Sequence, residues 1–175
     1  EKYPHVTYFI NGGREDPYPG EKRVLVPSPN VPTYDLKPEM SCQEVAIEVI
    51  NAIKNDDYKL IVVNFANGDM VGHTAVKSAI IEAMNELDKV LGEVVCEAIG
   101  ANIATLITAD HGNVDEINNP KTGKPNTQHS LNPVPCIVVD NKRDWSIIKK
   151  EFKDNSLKTI SLSSSSSFGF IISTS

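Results

Sequence analysis

Cysteine is scarce in this 175-residue chain, and the three residues present form no motif. Cys42, Cys96 and Cys136 are far apart, odd in number and without a Cys-x-x-Cys pair. They read as buried, reduced thiols of a cytosolic protein rather than as a disulfide framework. Long apolar runs are also missing. No stretch reaches the roughly 18 residues that a membrane-spanning helix needs, and the opening Glu1-Lys-Tyr-Pro-His has no apolar core of a signal peptide. No basic run or stripe occurs and the net charge is −6, which argues against nucleic acid as a partner. An initiator Met is absent too, so the expectation is a piece cut from a longer chain.

What is present suits one globular domain with a real core: 40% hydrophobic and 23% charged residues. Val6 to Ile10 is β-branched and aromatic and reads as a strand that Asn11-Gly-Gly13 ends. Arg14 to Pro38 carries six prolines and reads as a long ordered loop, with Val24-Leu-Val26 as a possible short strand. Ser41-x-x-Glu44 is a capping box for a helix over 42–54 that puts Val45, Val49, Ile50 and Ile53 on one face. The spacing then predicts a buried strand over 59–65 and a long amphipathic helix over 76–99, with Glu82, Glu86, Lys89 and Glu93 outward. Strands over 103–108 and 134–139 follow, and a short helix over 146–152. Strand–helix alternation of this kind gives an α/β fold with a mostly parallel sheet and flanking helices. From about Ser161 the composition turns serine-rich, so residues 1–160 read as the domain and 161–175 as a disordered or loosely packed low-complexity tail.

Three short segments concentrate the chemistry. Asp69 and His73 stand four positions apart just past the strand over 59–65; Asp110-His111-Gly112-Asn113 follows the strand over 103–108; Thr127-Gln-His129 precedes the strand over 134–139. In parallel α/β sheets, ligands bind outside the carboxyl ends of the strands. Carboxylate with imidazole suits Mn²⁺, Zn²⁺ or Fe²⁺. Asp69, His73 and His129 could complete one three-ligand set. Asp110 and His111 are neighbours whose side chains would reach one ion only if the backbone bends, and Gly112 makes such a bend available. Two ions about 3.5–4 Å apart form the clamp of phosphoryl transfer. The plain alternatives are turn chemistry at Asp110-His-Gly-Asn and a cap at Asp69. His5, the fourth histidine, reads as structural.

Lys2-Tyr-Pro-His-Val-Thr, Phe9-Ile-Asn-Gly-Gly13, Tyr34-Asp-Leu, Asn64-Phe-Ala-Asn…Asp69-Met-Val-Gly-His-Thr74, Ala109-Asp-His-Gly-Asn113 and Asn132-Pro-Val-Pro135 resemble the cofactor-independent (2,3-bisphosphoglycerate-independent) phosphoglycerate mutases of the alkaline-phosphatase-like superfamily. The likeness runs in order over residues 1–140 and stops before the serine tail. It implies the carboxyl-terminal part of the family's phosphatase domain, incomplete as an alkaline-phosphatase-like fold. It implies interconversion of 3-phosphoglycerate and 2-phosphoglycerate in glycolysis, through a phosphoserine, in the cytoplasm. By the same resemblance, Asp69, His73 and His129 bind one Mn²⁺, Asp110 and His111 a second, and Lys2 contacts substrate; Mg²⁺, Co²⁺ or Zn²⁺ are possible in place of Mn²⁺. The implied partner is a small phosphorylated substrate, not nucleic acid or membrane. The family's nucleophilic serine and its substrate-gripping domain have no counterpart here, so no catalytic nucleophile is assigned, the missing amino-terminal part would be needed, and the chain alone is expected to be inactive. Gly68 and Ala75 stand where the family more often has Pro and Gly. The rival readings are another enzyme of the superfamily, a phosphopentomutase or metal-dependent phosphatase, and a non-catalytic metal-binding remnant.

Overall fold

The computed structural model describes residues 1–55, 58–142 and, for the backbone only, 170–174. Helix α1 spans Cys42–Asn55, strand β1 Ile61–Phe65, helix α2 Asn67–Gly72 and helix α3 Lys77–Gly100; strands β2, β3 and β4 span Thr105–Thr108, Cys136–Val139 and Phe170–Thr174. The sheet order is β1-β4-β2-β3; β4 pairs parallel with both β1 and β2, and β3 runs antiparallel to β2. This is the expected α/β arrangement, with the helix-bearing connection between β1 and β2 long enough for parallel strands.

The apolar faces of the helices meet the sheet where the periodicity places them. Val49 of α1, Val63 and Phe65 of β1, and Leu87, Val90 and Val94 of α3 form one buried cluster. A second cluster joins Val71 of α2 to Ala79, Ile80 and Ala83 at the start of α3, fixing the short helix that follows β1. A groove of about 740 Å³ runs beside β1 between α1 and the amino-terminal loop.

Several expectations are corrected. Residues 6–10 form no strand: Tyr3–Val6 is a 3-10 turn, and the amide of Phe9 bonds back to the carbonyl of Pro4 at 3.0 Å and that of Gly13 to Tyr8 at 2.8 Å. Pro4 lacks a donor for a ladder and favours a turn, so the backbone bonds close locally and leave Phe9 and Ile10 exposed. Val24 and Leu25 are likewise exposed loop residues. The Ser41 hydroxyl donates to the Pro27 carbonyl at 2.6 Å, tying the proline-rich loop to the start of α1. Cys42 is buried, but Cys96 and Cys136 are exposed, because Cys96 lies on the outer face of α3 and Cys136 opens β3 at the sheet's edge. Within the tail, residues 170–174 are a central strand rather than loose chain, since Phe-Ile-Ile pairs along the apolar strands β1 and β2. The expected helix over 146–152 and the serine run lie outside the described residues.

Candidate metal centre

β1 ends at Phe65 and α2 starts two residues later, so Asp69 sits in the first turns of a six-residue helix, 4% exposed. Residues four apart share a helix face. His73, at the end of α2, therefore turns Nε2 to 3.0 Å from Asp69 Oδ1. The third segment is brought in by a backbone bond from the Ser130 amide to the Gly112 carbonyl at 2.8 Å, which lays residues 127–130 beside the end of β2. His129 Nε2 then stands 3.1 Å from Asp69 Oδ1 and 3.3 Å from His73 Nε2.

These three separations fit one metal ion. With metal–donor bonds of about 2.1 Å, donors at octahedral or tetrahedral angles lie about 3.0–3.4 Å apart. The ring orientation fits too. His73 Nδ1 is 2.7 Å from the Thr127 carbonyl oxygen, which can only accept, so Nδ1 donates there and Nε2 is the nitrogen turned toward the cluster. Asn113, 3% exposed, donates from Nδ2 to Asp69 Oδ1 at 2.9 Å and fixes the carboxylate's rotation. A Cβ on Gly72 would meet Asn113 Oδ1 at 2.5 Å, so glycine is required there for that bond.

Asp110 and His111 converge despite being neighbours: Asp110 Oδ2 and His111 Nε2 are 3.5 Å apart. Gly112 does not serve as a left-handed bend. It provides space, since a Cβ there would meet Ser130 Oγ at 2.2 Å. Between this pair and the first cluster sits the ammonium of Lys2, 2.9 Å from Asp69 Oδ2, 3.2 Å from Asp110 Oδ2 and 3.1 Å from His111 Nε2. His5 Nε2 lies 3.6 Å from Asp110 Oδ2. His111 stacks on His129, with centroids 3.6 Å apart. The donors of Asp69, His111 and His129 all lie within 4.8 Å of one another, so the two expected ligand groups are continuous in space.

Burial pushes the Asp69 carboxyl up, but bonds from Lys2 and Asn113 and the Lys2 charge outweigh it and hold it below the ordinary carboxylate value. His111 is lowered, first by burial and then by the Lys2 charge, against the raising effect of Asp110. Both shifts favour the forms that ligate cations: ionised carboxylate and neutral imidazole. Residues to which the sequence reading gave no role include Asn113, Asp115, Ser130 and Asn132. Glycines 72 and 112, each beside an expected ligand, are the available signal of close approach.

The family model of the Metalloenzyme superfamily matches residues 1–170. The 2,3-bisphosphoglycerate-independent phosphoglycerate mutase of Symbiobacterium thermophilum is 57% identical over 143 residues, covering 82% of this chain and 28% of the relative. That of Rhodopseudomonas palustris is 55% identical over 139 residues, covering 79% and 28%. A crystal structure of Leishmania mexicana phosphoglycerate mutase at low cobalt concentration is 34% identical, covers 82% of this chain and 28% of that one, and superimposes with a TM-score of 0.75. The chain thus spans little more than a quarter of the length of these relatives. The shared fold is the expected alkaline-phosphatase-like α/β one. With a family match over almost its whole length and a converged set of carboxylate and imidazole donors, the chain belongs to the Metalloenzyme superfamily.

Proposed function

We propose that this chain is the metal-binding part of a cofactor-independent phosphoglycerate mutase that interconverts 3-phosphoglycerate and 2-phosphoglycerate in cytoplasmic glycolysis. Asp69, His73 and His129 hold one Mn²⁺; Asp110 and His111 contribute to a second. The single observation that carries the reading is the convergence of Asp69 Oδ1, His73 Nε2 and His129 Nε2 at 3.0–3.3 Å, in a chain 57% identical to such a mutase over 143 residues.

Bound divalent ions would neutralise phosphoryl oxygens and activate a coordinated hydroxyl. The chain's own residues prepare that chemistry. Asn113 orients the Asp69 carboxylate, Thr127 sets the His73 tautomer, and Lys2 places a positive charge beside both ligand groups, where it can meet the oxygens of a small phosphorylated substrate. The serine nucleophile is supplied by polypeptide outside these 175 residues, so the chain alone does not turn over.

A chimera tests this. Residues 1–142 replace the matching stretch of the Symbiobacterium mutase, and interconversion of the two phosphoglycerates is assayed with Mn²⁺. The expected result is an active chimera whose activity falls at least a hundredfold with Asp69→Ala, His73→Ala or His129→Ala. A folded chimera without activity, or one indifferent to all three substitutions, contradicts the reading.

A further inference from the structure

His129 is the ligand least supported by secondary structure. After Glu116, the end of a short 3-10 turn, no helix or strand occurs until Cys136. The His129 side chain is 46% exposed, and Leu131, two positions on, is fully exposed. Ile117 packs against the second core cluster at the start of this stretch, but no buried apolar side chain stands beside His129.

What holds it is polar and centred on Asp115. The hydroxyl of Ser130, a residue only 7% exposed, donates to the Asp115 carboxylate at 3.0 Å from Oδ1 and 2.8 Å from Oδ2. Asn132 Nδ2 donates to Asp115 Oδ2 at 2.7 Å. Ser130 also gives its amide to the Gly112 carbonyl at 2.8 Å, and the space that Gly112 leaves is filled by Ser130 Oγ and Asp115 Oδ1, at 2.2 and 2.7 Å from where a Cβ would be. The carboxylate thus grips the residue directly after His129 and presses it onto the residue directly after His111. The two imidazoles consequently stack at 3.6 Å with planes 16° apart. The carboxylate accepts from both side chains at once, and a charged acceptor makes these bonds stronger than a neutral amide oxygen would.

We propose that Asp115 is a positioning residue of the metal centre: through Ser130 and Asn132 it sets where His129 stands, without touching the ion or substrate. This rests on the metal-centre reading above. Asp115 is neither among the residues expected from the sequence nor a donor to the site, and its contacts all go through other residues.

The test uses the 175-residue chain with Asp115→Ala, Asn132→Ala and the neighbouring Glu116→Ala, which removes the same charge but no clamp. Mn²⁺ affinity is measured by titration. The His129 imidazole resonances and the thermal midpoint are measured without metal. Outer-shell partners of metal-ligating histidines typically change affinity 10–100-fold. The expected result is at least a tenfold weaker Mn²⁺ affinity for Asp115→Ala, a smaller loss for Asn132→Ala and none for Glu116→Ala. Without metal, the ring-current shift that stacked His111 imposes on His129 should collapse in Asp115→Ala. If Asp115→Ala does not fold, Asn132→Ala decides alone: weaker Mn²⁺ binding and a reduced ring-current shift support the clamp, and wild-type values for both overturn it. Unchanged affinity and unchanged His129 resonances in a folded Asp115→Ala overturn the role of Asp115 while leaving the metal centre standing. A wild-type chain that binds no Mn²⁺ overturns the metal reading and the proposal with it, even if the stacking signal persists.

Discussion

Asp69 is the residue on which the centre turns, and its environment has consequences for pH. An imidazole ligates only when neutral, so protons compete with metal as pH falls. Mn²⁺ affinity is therefore expected to fall as pH drops from about 7 to 5.5, with excess Mn²⁺ restoring occupancy; a titration at pH 6 that is indifferent to Mn²⁺ concentration would count against this. Stability of the metal-free chain follows a different window. The folded Asp69 and Asp115 carboxyls sit below their unfolded values, because bonds from Lys2 and Asn113, and from Asn132 and Ser130, outweigh burial. The unfolded state binds more protons between the two values, so this stabilisation is complete above about pH 4 and is lost as pH falls through the folded values. The thermal midpoint should thus hold from pH 7 to 5 and decline below about 4. Ala75 shows a cost carried at the same scale. It holds φ at +53°, a conformation that disfavours any residue with a Cβ. Asp69 and His73 nonetheless face each other beside it.

The elements legible in the sequence were those whose periodicity is long. α1 and α3 lie within a residue or two of their expected ranges, because Leu87, Val90 and Val94 repeat at helical spacing and have a sheet to cover. Burial of that face can be tested directly. Leu87, 2% exposed, packs in the main core, so Leu87→Ala should cost about 2–5 kcal/mol of stability. Ile81→Ala, on an exposed position of the same helix, should cost within about 0.5 kcal/mol; equal shifts in the urea midpoint would contradict the assignment of faces. Short elements were less legible. Residues 6–10 have strand composition, yet local backbone bonds to Pro4 and Tyr8 win over pairing. Phe170–Thr174 is a strand hidden by the serines before it, because composition averaged over a segment masks five residues that fit between two apolar strands. The candidate ligands were legible as residue types at strand ends. The polar clamp around Asp115 was not, since it joins residues 15 and 17 positions apart through a contact that no periodicity encodes.

Across the whole molecule, topology does what spacing alone cannot. β1 and β2 run parallel on either side of β4, so α2 and the segment from Asp110 to Asn113 emerge at the same end of the sheet. β3 begins opposite the last residue of β2, so the connection between them keeps His129 at that end. The carboxylates of Asp69 and Asp110 and the imidazoles of His73, His111 and His129 gather there, with Lys2 arriving from the amino terminus. If Asp69, His73 and His129 together bind one divalent ion, anomalous diffraction at the manganese edge from crystals of the chain soaked in Mn²⁺ locates it. The expected result is a peak within about 2.2 Å of Asp69 Oδ1, His73 Nε2 and His129 Nε2. A fully soaked crystal with no peak there, or with manganese bound only elsewhere, would contradict it.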